Sequence, residues 1–157
     1  MDTIESVSIA RHVRFTISTA EPIGFIDLTD RVAALVAVAG LRTGLVNIQS
    51  LHTTTAIIVN EHEPLLLDDF VATLERTSPT HAQYAHDDPD RRTVNVTGEE
   101  RPNGHAHCRA LFLPTSVCLN VVRGEMQLGR WQRLFLVELD GPQERGVSVL
   151  MTGEGWR

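Results

Sequence analysis

Five of the seven histidines in the chain, which carries His12, His52, His62, His81, His86, His105 and His107, fall in three clusters near acids or other histidines. The densest groupings are HDD at 86–88 and NGHAH at 103–107. Imidazole and carboxylate donors at that density suit zinc or another borderline divalent ion better than magnesium, which prefers oxygen. Spacing prunes the set. On a regular helix His105 and His107 point about 200° apart, because each residue advances about 100°. On an extended segment the two would share a face and both could ligate. Either a helix starts after His107, or only one of the pair is functional.

A second constellation is SLHTTTAIIVNE at 50–61, an apolar run with His52 and Thr53 at its head and Asn60 and Glu61 at its foot. His52 and Asn60 share a parity, yet eight residues of strand span about 26 Å. They must serve different sites, or approach one site from different subunits. The threonines carry strong β-propensity, which by itself accounts for most of them.

Composition removes several chemistries. The chain has 157 residues, net charge −6 and 14 cationic side chains, all arginine. Without lysine there is no Schiff base, no lysine general base and no phosphate-loop lysine. A negative chain lacks the basic face that nucleic acid demands, and 5% aromatic content is poor for base stacking. No nucleophile elbow, glycine-rich phosphate loop, HExxH or paired CxxC occurs. Cys108 and Cys118 lack metal-knuckle spacing and are expected as free thiols in a reduced compartment. The start, MDTIESVSIARHVRF, does not read as a signal sequence, and no stretch reaches the 18 or more apolar residues that span a bilayer. The expectation is a cytoplasmic protein with no membrane partner.

The elements that must position these residues follow from periodicity. Residues 6–19 alternate as one or two edge-type strands, and Val32 to Ala39 forms a helix capped near Asp27 or Thr29 and stopped at Gly40. Residues 45–60 read as one long strand, or two with a bulge. A second helix runs through PLLLDDFVATLERTSP, followed by loop from Thr80 to Gly104 with a short strand at TVNVTG. HAHCRALFL is a short helix ending at Pro114, and SVCLNVV, RWQRLFLVEL and GVSVLM are strands separated by turns at RGE and DGP. With 42% hydrophobic content the whole chain, 1–157, is expected to form one α+β domain. Its sheet would be largely antiparallel or mixed, with two to three helices.

Taken in order, HTTTAIIVNE, LLDDF, NGHAH, GRWQ and DGPQERGV resemble the YjbQ-like family, over nearly the whole chain from about Val7 to Gly153. The resemblance implies a small α+β protein that assembles as a homotrimer, of the kind named secondary thiamine-phosphate synthases. His52, Asn60, Glu61, Asp69, His107 and Arg145 match the family's recurrent polar positions, and His105 and His86 match less closely. Arg130 stands where many members have threonine, and Gln143 where an arginine often follows DGP. On this resemblance His52, His107, His105 and His86 are metal candidates, Glu61, Asp69 and Asn60 catalytic candidates, and Arg145, Arg130 and Thr53 substrate contacts. The implied reaction, a transferase step, joins a pyrimidine diphosphate to a thiazole phosphate, with a metal and arginines holding the anions. The alternatives are a non-catalytic module that binds a metal or a small anionic or phosphorylated metabolite, and a structural trimer.

Overall fold

The computed structural model describes residues 6–155. Among these, eight strands and three α-helices occur: β1 (Val7–Ser18), β2 (Gly24–Asp27), α1 (Thr29–Ala39), β3 (Leu41–Ser50), β4 (Thr55–Glu61), α2 (Pro64–Thr77), α3 (Gly104–Ala110), β5 (Ser116–Val122), β6 (Glu125–Met126), β7 (Gln132–Glu138) and β8 (Glu144–Gly155). The strands form a five-stranded sheet in the order β1-β8-β3-β5-β6 and a three-stranded sheet in the order β2-β7-β4. Every pairing is antiparallel. The α+β class and the predominantly antiparallel pairing expected from the sequence are therefore present.

Period-two burial sets the main core. Val147, Val149 and Met151 of β8 and Val46 and Ile48 of β3 face inward against Ile57, Leu134 and Leu136 of the smaller sheet. Helix α1 fills this layer with Val32 and Val36, and ends where Gly40 takes φ 67°, a left-handed cap that glycine adopts at no steric cost. A second apolar cluster, Ala56, Val137, Leu139 and Ala106, lies on the opposite face of the smaller sheet and receives α3 and Leu74 of α2. Strand β7 is thus covered on both faces, which explains the unbroken apolar run LFLV in place of alternation.

Three expectations need correction. Residues 45–60 are neither one strand nor a bulged pair, because the chain turns a corner at 51–54 and passes from the five-stranded to the three-stranded sheet. The corner is held by its polar residues: the Ser50 and Thr55 hydroxyls bond each other, and Thr54 O accepts from Leu139 N at 3.2 Å. TVNVTG forms no strand; it lacks a sheet neighbour, and a 3-10 turn at Ala85–Asp87 is the regular structure of that loop. The DGP turn joins strands of different sheets and is no hairpin, whereas RGE does turn β5 into β6, with Arg123 and Gly124 at φ 56° and 83°. Among the described residues, no helix is long and apolar enough to cross a membrane.

Candidate functional site

The loop before α3 folds back onto the start of that helix. Asp87 Oδ1 accepts from the backbone N–H groups of Asn103 and Gly104, both at 2.9 Å, and so satisfies free donors at the helix start. Burial would raise the Asp87 carboxyl, but these bonds and His86 outweigh it and hold the group below the usual range. Gly104 permits the approach, since a Cβ there would lie 2.5 Å from Tyr84 Cβ. Arg109, buried in α3, ties the same loop to α2 by donating to Ser78 O at 3.0 Å and Thr80 Oγ1 at 3.0 Å and by pairing with Glu75.

This packing sets His86 beside His107, with ring centroids 4.6 Å apart. Glu100 joins them, and one ligand atom from each of the three lies within 4.8 Å of the others. Two imidazoles and a carboxylate match in type the three-ligand set of catalytic zinc sites, which keep a fourth position open. Burial first, and His86 second, hold His107 below the ordinary histidine value, which keeps it neutral and able to ligate. The hydrogen bond from Arg92 holds Glu100 ionised. Asp87 Oδ1, 3.5 Å from His86 Nδ1, is placed to orient that ring.

The cluster opens into a cavity of about 810 Å³ lined by His52, Thr53, Thr54, His86, Arg92, Glu99, Glu100, Arg101, Asn103, His107, Asp140, Gln143 and Arg145, among others. Its walls are polar and cross-linked. Asp140 accepts from Asn103 Nδ2 at 3.1 Å, Gln143 Nε2 at 3.1 Å and Arg101 at 3.4 Å. Asn103 Oδ1 is buried without a partner, an acceptor held beside the cavity. Each cavity arginine faces a carboxylate: Arg92 with Glu100 at 2.8 Å, Arg101 with Asp140 at 3.4 Å, Arg145 with Glu138 at 2.6 Å.

A profile described as "UPF0047 protein YjbQ-like" matches residues 13–154. The chain belongs to the YjbQ-like family. A UPF0047 protein of Methanothermobacter thermautotrophicus is 37% identical over 136 residues, 87% of each chain. A UPF0047 protein YjbQ of Salmonella typhimurium is 31% identical over 126 residues, 78% of this chain and 84% of that one. Among solved structures, a protein of unknown function from Sulfolobus solfataricus superposes with a TM-score of 0.82 at 32% identity, covering 94% of this chain and 99% of that chain. A hypothetical protein from Aeropyrum pernix gives 0.79 at 33% identity, covering 91% and 98%.

In this YjbQ-like chain the residues singled out from the sequence divide between several places. His107 and His86 meet, while His105, on the other side of α3, lies against Tyr84 at 6.4 Å between ring centroids. The helix begins before both histidines of HAH, so only one of the pair reaches the cluster. His52 sits in the corner rather than on a strand and is not part of that cluster. Its Nε2 accepts from Gly146 N at 2.7 Å, so that lone pair is taken. Burial, then the Arg145 charge, keep its ring neutral against the pull of Glu138. Arg145 is 2% exposed and forms a two-pronged pair with Glu138 plus a bond to Thr54 Oγ1 at 3.1 Å. Its main partner is thus a protein carboxylate rather than a free phosphate. Thr53 is exposed and lines the cavity.

The three residues assigned catalytic work lie elsewhere. Asn60 and Glu61 are exposed at the far end of β4, Asp69 is exposed on α2, and none of the three lines the cavity. Arg130 is exposed and stacks on Trp131 at 4.6 Å, outside the cavity. The Gln of GRWQ closes a turn, its Oε1 accepting from Gly129 N at 2.7 Å. Sequence reasoning passed over Glu100, Arg92, Asn103, Asp140 and Glu138. A signal existed for Glu138: an acid set between Val137 and Leu139 at the end of the apolar run LFLV is buried only with a partner.

Proposed function

We propose that this YjbQ-like protein binds a zinc-like divalent ion through His86, Glu100 and His107 and uses it to engage a small phosphorylated metabolite in the adjoining cavity. The observation that carries this is the convergence of those three side chains within 4.8 Å on the wall of a polar cavity of about 810 Å³. When bound, such an ion polarises a phosphoryl oxygen or a water. The chain's own residues do the rest. Thr53 and Gln143 offer polar contacts at the rim. The paired Arg145 and Glu138 hold Thr54 and the His52 corner in place.

The specific reaction is displacement of diphosphate from a pyrimidine by a thiazole phosphate, a weak thiamine-phosphate synthase activity, carried out by a homotrimer. The trimer has a chemical role, since Asn60, Glu61 and Asp69 are exposed and can reach a cavity only from a neighbouring copy. Protein loaded with zinc is expected to form product from the two substrates, and chelator-stripped protein to lose it and regain it on adding zinc. Turnover equal to that of heat-inactivated protein in every state would contradict the synthase step. The second reading, a non-catalytic module that binds the metal and an anionic metabolite, is favoured by one observation: Asp140, the buried carboxylate of the cavity lining, is already committed to hydrogen bonds from Asn103, Gln143 and Arg101.

A further inference from the structure

The formal charges around the cavity nearly cancel, because Arg92, Arg101 and Arg145 each face a carboxylate. A cavity with no uncommitted cation has little to offer an anion, so one arginine must be released if a phosphorylated ligand is to be held by arginine. Arg92 is the one placed for this. Its Nη1 lies 2.8 Å from Glu100 Oε2 and 3.4 Å from His86 Nδ1, so a single guanidinium nitrogen contacts two of the three metal candidates. The rest of the group is tethered to its own loop, Nη2 donating to Asn95 O at 2.6 Å and Nε to Val94 O at 3.4 Å.

Arginine can only donate, so His86 Nδ1 accepts from it in this arrangement. An ion at His86 ends that contact by either route. If Nε2 binds the ion, Nδ1 carries the proton and turns to Asp87; if Nδ1 binds the ion, its lone pair is consumed. Glu100 at the same time shares its charge with the ion, and two cations then stand side by side. We propose that Arg92 is an internal cation that holds the metal ligands together while no ion is bound, and passes to the anionic ligand when the ion enters. This rests on the metal reading above and adds to it a coupling: the ion raises affinity for the anion, and by linkage the anion raises affinity for the ion.

Two titrations on the full chain test this, with cobalt(II) as a spectroscopic substitute for the zinc-like ion and methyl phosphate as the anion. Arg92→Met is expected to bind cobalt(II) at least as tightly as the parent protein, because a competing cation is gone. Its cobalt-loaded form is expected to bind methyl phosphate about tenfold more weakly or worse. Arg92→Lys, which keeps the charge but not the planar fork, is expected to restore part of that affinity, and it serves alone if the methionine variant does not fold. A parallel loss of both affinities would reduce Arg92 to a structural tether and overturn the proposal. So would unchanged methyl phosphate binding. Absence of cobalt(II) binding by the parent protein is a different result, which removes the metal reading itself and the proposal with it.

Discussion

Arg145 and Glu138 are the residues on which the cavity wall depends most. The pair is buried at 2% and 0% exposure, and Glu138 also accepts from Thr19 Oγ1 and from the backbone of Leu139 and Asp140. Burial alone would raise the Glu138 carboxyl; the Arg145 guanidinium, the Asp140 N–H and Thr19 hold it down instead. Arg145→Met therefore leaves an uncompensated buried carboxylate and is expected to cost about 3–5 kcal/mol in chemical denaturation. A loss within a few tenths of a kcal/mol would show the pair to be dispensable. Arg145 was visible in the sequence as a polar residue of the DGPQERGV segment, but its partner was not. A pairing between residues seven positions apart, one ending β7 and the other in β8, depends on two sheets meeting, which no periodicity announces. The angular argument on His105 and His107 did transfer, because helix geometry is local: one histidine reaches the cluster and the other does not. Glu100 escaped notice for the opposite reason, as an acid in an irregular loop whose position only the fold defines.

Among the elements, the junction of β2, α1 and β7 is tied by Asp27. Its carboxylate accepts from Thr29 N at 2.9 Å and Arg133 Nε at 2.7 Å, and lies 3.0 Å from His62 Nδ1. Burial would raise its pKa, yet the bonds from Thr29, Arg133 and His62 outweigh this and bring it from 3.8 to about 2. At about 1.4 kcal/mol per pH unit, the depressed carboxylate contributes about 2 kcal/mol above pH 4, and that contribution disappears as pH falls from 4 toward 2. Asp27→Asn is expected to lower stability at pH 7 and to flatten this acid limb in thermal melts. An unaltered slope between pH 4 and pH 2 would assign the acid sensitivity elsewhere. Asp27 and Thr29, the cap candidates read from the sequence, flank the cap position, which is Leu28, and Asp27 acts from one residue earlier through its bond from Thr29 N. All three helices and the strands of periodic segments were legible, because period and capping chemistry are local. The corner at 51–54 was not, since β-branched TTT reads as strand until its hydroxyls and carbonyls are seen to bond across the turn.

At the scale of the whole molecule, three layers explain where a site can form. The larger sheet, the smaller sheet and the layer of α2 and α3 each bury one face against the next, and the long loop from Thr80 to Asn103 is left to close over the end of β4, β7 and β8. Histidine, arginine and carboxylate side chains collect there, at the opposite end of β4 from Asn60 and Glu61. The cavity cluster and the exposed Asn60–Glu61 pair thus lie at opposite ends of β4, and in the trimer proposed above Glu61 and Asp69 of one copy would face another's cavity. Native mass spectrometry of the parent protein, His107→Ala and His105→Ala, each incubated with zinc and desalted, reads the assembly and its metal content together. The expected spectrum is a trimer with one ion per chain in the parent and in His105→Ala, and no ion in His107→Ala. Equal zinc content in all three proteins, or loss in His105→Ala alone, would contradict a metal site built on His86, Glu100 and His107.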